Sequence, residues 1–402
     1  MVGCQVREID ICIAGSGTAG LTAALMLRAS FPSAKITVVS SSSRGIIGVG
    51  EGSTEHWKEF MRLVNIQTNE LLSATAATHK YGIRFEGWSR QFPDYFHSVA
   101  GDEELFAYGL HPTYMGFIER GKLLTNQTTS IGLWKDKIRR NGLHENTNQY
   151  HFDTNRLNEY FNLLCFQRNI VMTDGDISGV EKDSETGHLK SLVLEDGRKI
   201  EADFFIDATG FQRAVIGSFA EPRWVSFSKY LPANSAIAFP TESDPSGKIK
   251  TYTRARAASS GWMWEIPTQE RRGNGYVYSS EFITEEEAVA EAEKMTGYKV
   301  PDNYRKFSFD PGYLESSWVK NCCAIGLASS FVEPLEATSI GSTIQQMKML
   351  IPSLASFTKD SVALQRDYNK RINIMMDNIL SMIRLHYIVD TDSSPFWRAA
   401  AA

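Results

Sequence analysis

Five cysteines in 402 residues, two of them adjacent at Cys322 and Cys323, are too few and too poorly spaced for a disulfide framework. The reading that remains is reduced, buried thiols in a cytoplasmic protein. No apolar run reaches the ~20 residues of a membrane span. The apolar N-terminal stretch is broken by glycines and lacks a signal-peptide cleavage pattern. Neither charge sign dominates: 42 Lys and Arg face 47 Asp and Glu, a formal charge of −5. That balance argues against a nucleic-acid or membrane partner. Internal repeats, low-complexity segments and flexible linkers are all absent, and no metal site is expected. The terminal run Ala399–Ala402 reads as a poorly specified tail.

What is present is a chain that is 42% hydrophobic, long enough for two or three domains or one elaborated α/β unit. Residues 7–14 predict a buried strand, "GSGTAG" a tight turn, and the next residues a helix to about Ala29. Lys35–Ser40 predicts a second strand. In that context Gly15 allows the turn, Gly17 lets backbone approach a pyrophosphate, and Ala19 and Gly20 let helix and strand pack closely. The acid that usually ends the second strand and holds the ribose is missing. Ser40 stands there, and its hydroxyl replaces one hydrogen bond at most.

Further along, helices are expected over "STEHWKEFMRLVN", over Thr68–Thr78 and over "DTNRLNEYFNLLCFQRN", the last capped at Asp153 or Thr154. "KYGIRFEGW" alternates like a strand. Strands and turns run from Ile170 to Asp207 and end in "DATGFQR". More strands follow over 223–282, with "RRGNG" read as a hairpin turn. Thr284 and Glu287 predict a capping box on a helix that stops at Gly297. "CCAIGL" predicts a short buried strand. The stretch "FVEPLEATSIGS" brings Glu333 and Glu336 to the start of a helix, whose free N–H groups and dipole favour an anion. Two late helices are expected over 340–357 and 360–386.

An early "GSGTAG", a late "DATG" and a late strand–loop–helix at "IGLASS" resemble the FAD-binding fold of flavin monooxygenases, with Gly326-Leu327 where an acid or amide usually follows the glycine. Three further stretches, "GVGEGST", "GWMWEIP" and "FVEPLEATSIG", together with "HYIVDTDSSPFWR", resemble the flavin-dependent tryptophan halogenases over nearly the whole chain. The compact form is similar to members of marine phage type.

The resemblance implies an α/β, FAD-binding Rossmann-type (flavin monooxygenase-like) fold with an inserted β-rich substrate region and C-terminal helices. The implied division is 1–90 and 170–215 as two FAD-binding parts, 91–169 as a mixed helical segment and 216–300 as the β-rich region. Residues 301–358 would then bind FAD and halide, and 359–398 form the C-terminal helices. Gly15, Gly17, Thr18, Ala19, Gly20, Ser40, Gly50, Glu51, Ala328 and Ile340 would contact FAD, and Thr338 and Ser339 would hold the halide.

By the same resemblance, a flavin C4a-hydroperoxide oxidises halide to hypohalous acid, which passes through a tunnel to Lys80. Glu336 is then the active-site base, and Trp262 and Trp264 keep organic substrate off the flavin. The implied cofactors are FAD, O2 and a halide ion, with FADH2 from a separate flavin reductase, since there is no second dinucleotide fingerprint. The implied substrate is an electron-rich aromatic small molecule. Two departures stand out: Ala337 replaces a usual serine, and the chain ends soon after "PFWR", which suggests a more open pocket. Bromide or iodide is therefore expected over chloride. An FAD-dependent aromatic hydroxylase and a non-catalytic flavin-binding partner stay as alternatives. Monomer and homo-oligomer also stay open.

Overall fold

Ile11–Ala14, Ile36–Ser40, Phe204–Asp207 and Cys322–Ala324 are short apolar runs with almost every residue buried, the pattern of strands covered on both faces. They form one sheet in the order Trp318–Val319, Cys322–Ala324, Phe204–Asp207, Ile11–Ala14, Ile36–Ser40, Val171–Asp174. All its pairings are parallel except the first. The computed structural model describes residues 9–43, 45, 51–91, 94–98, 149–358, 361–388 and 394–402. Segments from the start, middle and end of the chain thus meet in one six-stranded sheet. Helix Thr18–Ser30 buries eight consecutive residues, Gly20 to Leu27, against that sheet and the helices Thr154–Gln167 and Thr338–Leu354.

A second, seven-stranded sheet runs in the order Arg305–Ser308, Ser235–Glu242, Arg271–Tyr278, Gly261–Pro267, Thr253–Ala258, Gly82–Glu86, Asp94–Ser98. Here "RRGNG" is not a turn. Residues 271–275 lie inside strand Arg271–Tyr278, paired on both sides with Ser235–Glu242 and Gly261–Pro267. The reversal falls at Thr268, whose N–H donates to the Arg271 carbonyl at 2.9 Å. Gly275 faces Trp264, and a Cβ there would lie 2.0 Å from the indole. The glycine makes room for a ring, and the same residue type in a turn would look identical in sequence.

Other expectations shift slightly. The helix after Thr68 ends at Thr75, because Ala76 takes a left-handed conformation. Asp153 caps Thr154–Gln167 by accepting from the N–H groups of Asn155 and Arg156, and Thr284 with Glu287 forms a capping box on Glu285–Thr296. Helix Val362–Tyr387 buries Tyr368, Ile372, Met376, Leu380, Ile383 and Tyr387, a stripe at helical spacing. The alanine tail is ordered: Pro395–Ala401 is a helix capped by Ser394, and Ala400 is buried. Cys12, Cys165, Cys322 and Cys323 are free and buried. No helix among the described residues is long and apolar enough to cross a membrane.

Candidate functional site

A continuous cleft runs from the carboxyl edge of the six-stranded sheet to the face of the seven-stranded one. At its first end the glycines divide the work. Gly15 has φ +103°, and a Cβ on it would meet the Ala208 carbonyl oxygen at 2.5 Å; one on Gly20 would meet the Gly15 oxygen at 1.9 Å. At Gly17 a Cβ would meet nothing within 4 Å. Gly15 and Gly20 are needed by the fold, while Gly17 leaves open space toward the cleft. No side chain caps helix Thr18–Ser30 at Gly17, so its first N–H groups are left for an anion.

Asp207 organises the opposite wall. Its Oδ1 accepts from the N–H and hydroxyl of Thr209 at 2.9 and 2.7 Å, and its Oδ2 from the N–H groups of Val215 and Ile216 at 2.9 and 2.7 Å. Gly326 approaches to where a Cβ would be 2.7 Å from the Ala19 methyl, and its N–H donates to buried Gln346.

The other end is assembled by a small sheet of Glu51–Gly52, Tyr150–Phe152 and Thr78–His79. Lys80 follows directly, its N–H bonded to the Gln149 carbonyl. The side chain is fully buried, and Nζ donates to the Ser53 carbonyl at 3.0 Å. Burial lowers the Lys80 pKa from 10.5 to about 8, against the pull of Glu336 and Glu55. A Cβ on Gly52 would lie 3.1 Å from Lys80 Nζ and 3.4 Å from the Ala337 methyl, so Gly52 keeps that passage open.

Glu333 and Glu336, alike in sequence, part company here. Glu333 is buried away from the cleft, accepts the Tyr387 hydroxyl at 2.6 Å, and is pushed up to about 7 by burial. Glu336 lines the cleft, and its Oε1 receives His97 Nδ1 at 2.7 Å and His386 Nε2 at 3.0 Å. Burial works to raise the Glu336 carboxyl, but the two imidazoles outweigh it and hold it well below the usual range. His97 is raised in turn by that charge. Glu336 and Ala337 have φ of 64° and 54°, two consecutive left-handed residues that are strained for anything but glycine. They swing the chain into helix Thr338–Leu354, whose N-terminus has no side-chain cap. His97, Glu336 and His386 hold three ligand-type atoms within 4.8 Å of one another, but their mutual hydrogen bonds already account for the arrangement.

Trp262 and Trp264 share one face of their strand and line the cleft. Trp264 Nε1 has no hydrogen-bond partner among the described residues, and Trp262 Nε1 leans toward Glu333 without reaching bonding geometry. Glu51 also lines the cleft. Its Oε2 is buried without a partner among the described residues, and burial raises the carboxyl to about 7.

These features fit a flavin dinucleotide: a backbone cradle at one end, and unpaired buried polar atoms at the other. The tryptophan halogenase family matches residues 10–402. The chain belongs to that family. Tryptophan 6-halogenase ThaL of Streptomyces albogriseolus is 30% identical over 98% of this chain and 80% of its own. The flavin-dependent halogenase Xcc4156 of Xanthomonas campestris is 31% identical, covering 98% of this chain and 81% of its own with a TM-score of 0.86. BrvH of Brevundimonas sp. BAL3, another flavin-dependent halogenase, is 28% identical over 98% and 82% with a TM-score of 0.85. The protein is a flavin-dependent halogenase, an oxidoreductase of a type that uses FAD, O2 and halide.

Within this halogenase, Gly15, Gly17, Thr18, Ala19, Ser40, Glu51, Lys80, Trp262, Trp264, Glu336, Ser339 and Ile340 line the cleft. Gly20 lies beneath it as a packing residue, and Thr338 is buried beside it. Ala328 is in the core, its carbonyl accepting Arg213 Nε, and Gly326 and Leu327 reach the cleft instead. Gly50 is outside the described residues. Sequence reasoning missed His97 and His386, the two partners of Glu336. His386 opens the family-like stretch "HYIVDTDSSPFWR", but nothing local links it to Glu336; in the fold its Nδ1 is fixed by the Met382 carbonyl at 2.9 Å, one turn back on a long helix.

Proposed function

We propose that this halogenase acts on electron-rich aromatic small molecules, with Lys80 receiving the activated halogen and Glu336 taking up the ring proton. Reduced FAD, when bound, supplies with O2 the oxidising power that turns halide into hypohalous acid. The N–H groups at the start of helix Thr338–Leu354, around Thr338 and Ser339, hold the halide. Lys80 as a free amine takes X⁺ from HOX, forming an N–X bond and releasing water. As the N–X bond breaks and X⁺ passes to the ring, the nitrogen takes back one proton, the one the ring gives up through Glu336. A pKa of about 8 leaves a useful fraction of that amine near neutrality. Trp262 and Trp264 wall the aromatic substrate from the cofactor side. Glu336, kept ionised by His97 and His386, accepts the ring proton and restores aromaticity.

The observation that carries this reading is a fully buried lysine on the cleft that also holds the glycine fingerprint and a buried carboxylate. A separate flavin reductase supplies FADH2, because the sequence has one dinucleotide fingerprint. The preference is for bromide or iodide: Ala337 removes a hydroxyl near the halide, which hurts the small, strongly hydrated chloride most. The test is mass spectrometry of an aromatic panel turned over with chloride, bromide and iodide in turn. Halogenated product is expected. Hydroxylated product formed equally without halide would reject the reading.

A further inference from the structure

A short run of hydrogen bonds beside Lys80 fixes the direction of each proton in it. Thr78 Oγ1 donates to the Pro267 carbonyl at 2.6 Å, and a carbonyl only accepts, so that proton is spent. His151 Nδ1 lies 3.2 Å from the same Oγ1 and is therefore the donor there. His151 is fully buried. Burial, and then the Lys80 charge, push its pKa well below the ordinary value, so the ring is neutral. A neutral imidazole carries one N–H, which leaves Nε2 as an acceptor. Thr253 Oγ1 is 2.9 Å from Nε2, so its hydroxyl donates inward to the ring.

The strands put this run at the passage to Lys80. His151 is the cross-strand partner of both Thr78 and Gly52, so its ring shares a face with the place where a Gly52 Cβ would stand. That place is 3.1 Å from Lys80 Nζ. Thr253 is buried and lines the cleft, together with Lys80, Ile83 and Ile266. Among the described residues His151 is its one hydrogen-bond partner. The Thr253 proton is committed away from the cleft, and its remaining lone pair is left for a donor.

We infer that Thr253 accepts the O–H of neutral hypohalous acid and so turns its halogen toward Lys80, an inference that rests on the lysine route proposed above. Hypohalous acid has one donor, its O–H, and its halogen end has none. An acceptor with no proton to offer takes that end. It gives nothing to hypohalite or to free halide, which bring only lone pairs. The Lys80 amine then meets the halogen: the N–X bond forms, the O–X bond breaks, and the oxygen leaves as water with an amine proton. Without the Thr253 hydroxyl the oxidant is held less firmly and more of it escapes.

The test is a single turnover with reduced FAD, O2, bromide and a phenol, in the presence of a scavenger that traps hypobromous acid in solution. The ratio of trapped to ring-bound bromine, read per O2 consumed, is compared in wild type, Thr253→Val, Thr253→Ala and Thr253→Ser. The two variants without a hydroxyl are expected to raise the ratio about three- to tenfold, as for one lost hydrogen bond. Thr253→Ser, which keeps the hydroxyl, is expected to stay within about twofold of wild type. A wild-type ratio in Thr253→Val or Thr253→Ala overturns the inference, and so does an equal rise in Thr253→Ser. A rise that comes with weakened FAD binding also overturns it, since Thr253 would then serve the cofactor. Lys80→Ala, run alongside, keeps the two readings apart. Ring bromination that survives in it at the wild-type rate rejects the lysine route first and this inference with it.

Discussion

At the end of the cleft proposed for the nucleotide, one contiguous hexapeptide, Gly15–Gly20, would supply the cradle through backbone that no side chain obstructs. At the proposed reaction end Lys80, His97, Glu336 and His386 come from separate segments, and the charges that would do the work, on Lys80 and Glu336, are buried. The first end is specified by sterics, which are local and written into neighbouring residues. The second is specified by electrostatics, which depends on what the fold packs around each group. Glu333 and Glu336 show the difference within one loop. Burial, outweighing the Tyr387 hydroxyl and the more distant pull of His386, pushes the first up to about 7, whereas two imidazoles bonded directly to the second hold it down.

Substitutions at the two ends should therefore fail in different ways. Gly20→Val should give no cooperatively melting protein, because its side chain would overlap the Gly15 carbonyl. Gly17→Val, with open space at Cβ, should fold with a near wild-type melting temperature and lose FAD binding in a fluorescence titration. Equal damage to folding by both would break the division of labour among the glycines. At the reaction end, Glu336→Gln should keep FAD affinity but slow single-turnover product formation by about 10²–10⁴-fold. Glu333→Gln should keep its bond to Tyr387 and stay within a few-fold of the wild-type rate. Similar rates in the two variants would erase the contrast.

Smaller effects sharpen the electrostatic side. Below pH 8 Lys80 is charged in both folded and unfolded chains, so the folded state bears the full cost of a buried ammonium. That cost fades between pH 8 and 10.5, where the unfolded chain binds more protons. Lys80→Met should thus be more stable than wild type at pH 7 by up to roughly 3 kcal/mol, an advantage that shrinks toward pH 10.5 in denaturant titrations. A pH-independent difference would mean the amine is well solvated. The smallest effect is halide choice: with equal halides in competition, bromide and iodide products should exceed chloride. Chloride incorporation at or above the others would reject a role for Ala337.

Much of the nucleotide end was legible in the sequence because steric rules act over a few residues. The capping box at Thr284, the Asp153 cap, the short buried strands and the glycine fingerprint all follow from such local rules. "RRGNG" misled because a glycine that admits the Trp264 ring looks the same as one that admits a turn. Lys80 and Glu336 were reached through the family's motifs, whereas the pairing of His97 and His386 with Glu336 was not visible, although His386 opens one of the quoted stretches. Their contacts span 239 and 50 residues. Ala399–Ala402 looked unstructured by composition, yet helix continuation and a buried face order it.

The central claim is that the halogen reaches the ring through Lys80. Its most direct test is Lys80→Ala mixed once with reduced FAD, O2, bromide and a phenol or indole, in the presence of a scavenger of free hypohalous acid. Oxygen consumption should continue at close to the wild-type rate while brominated product falls to background. Brominated product at the wild-type rate, with the scavenger present, would contradict the account.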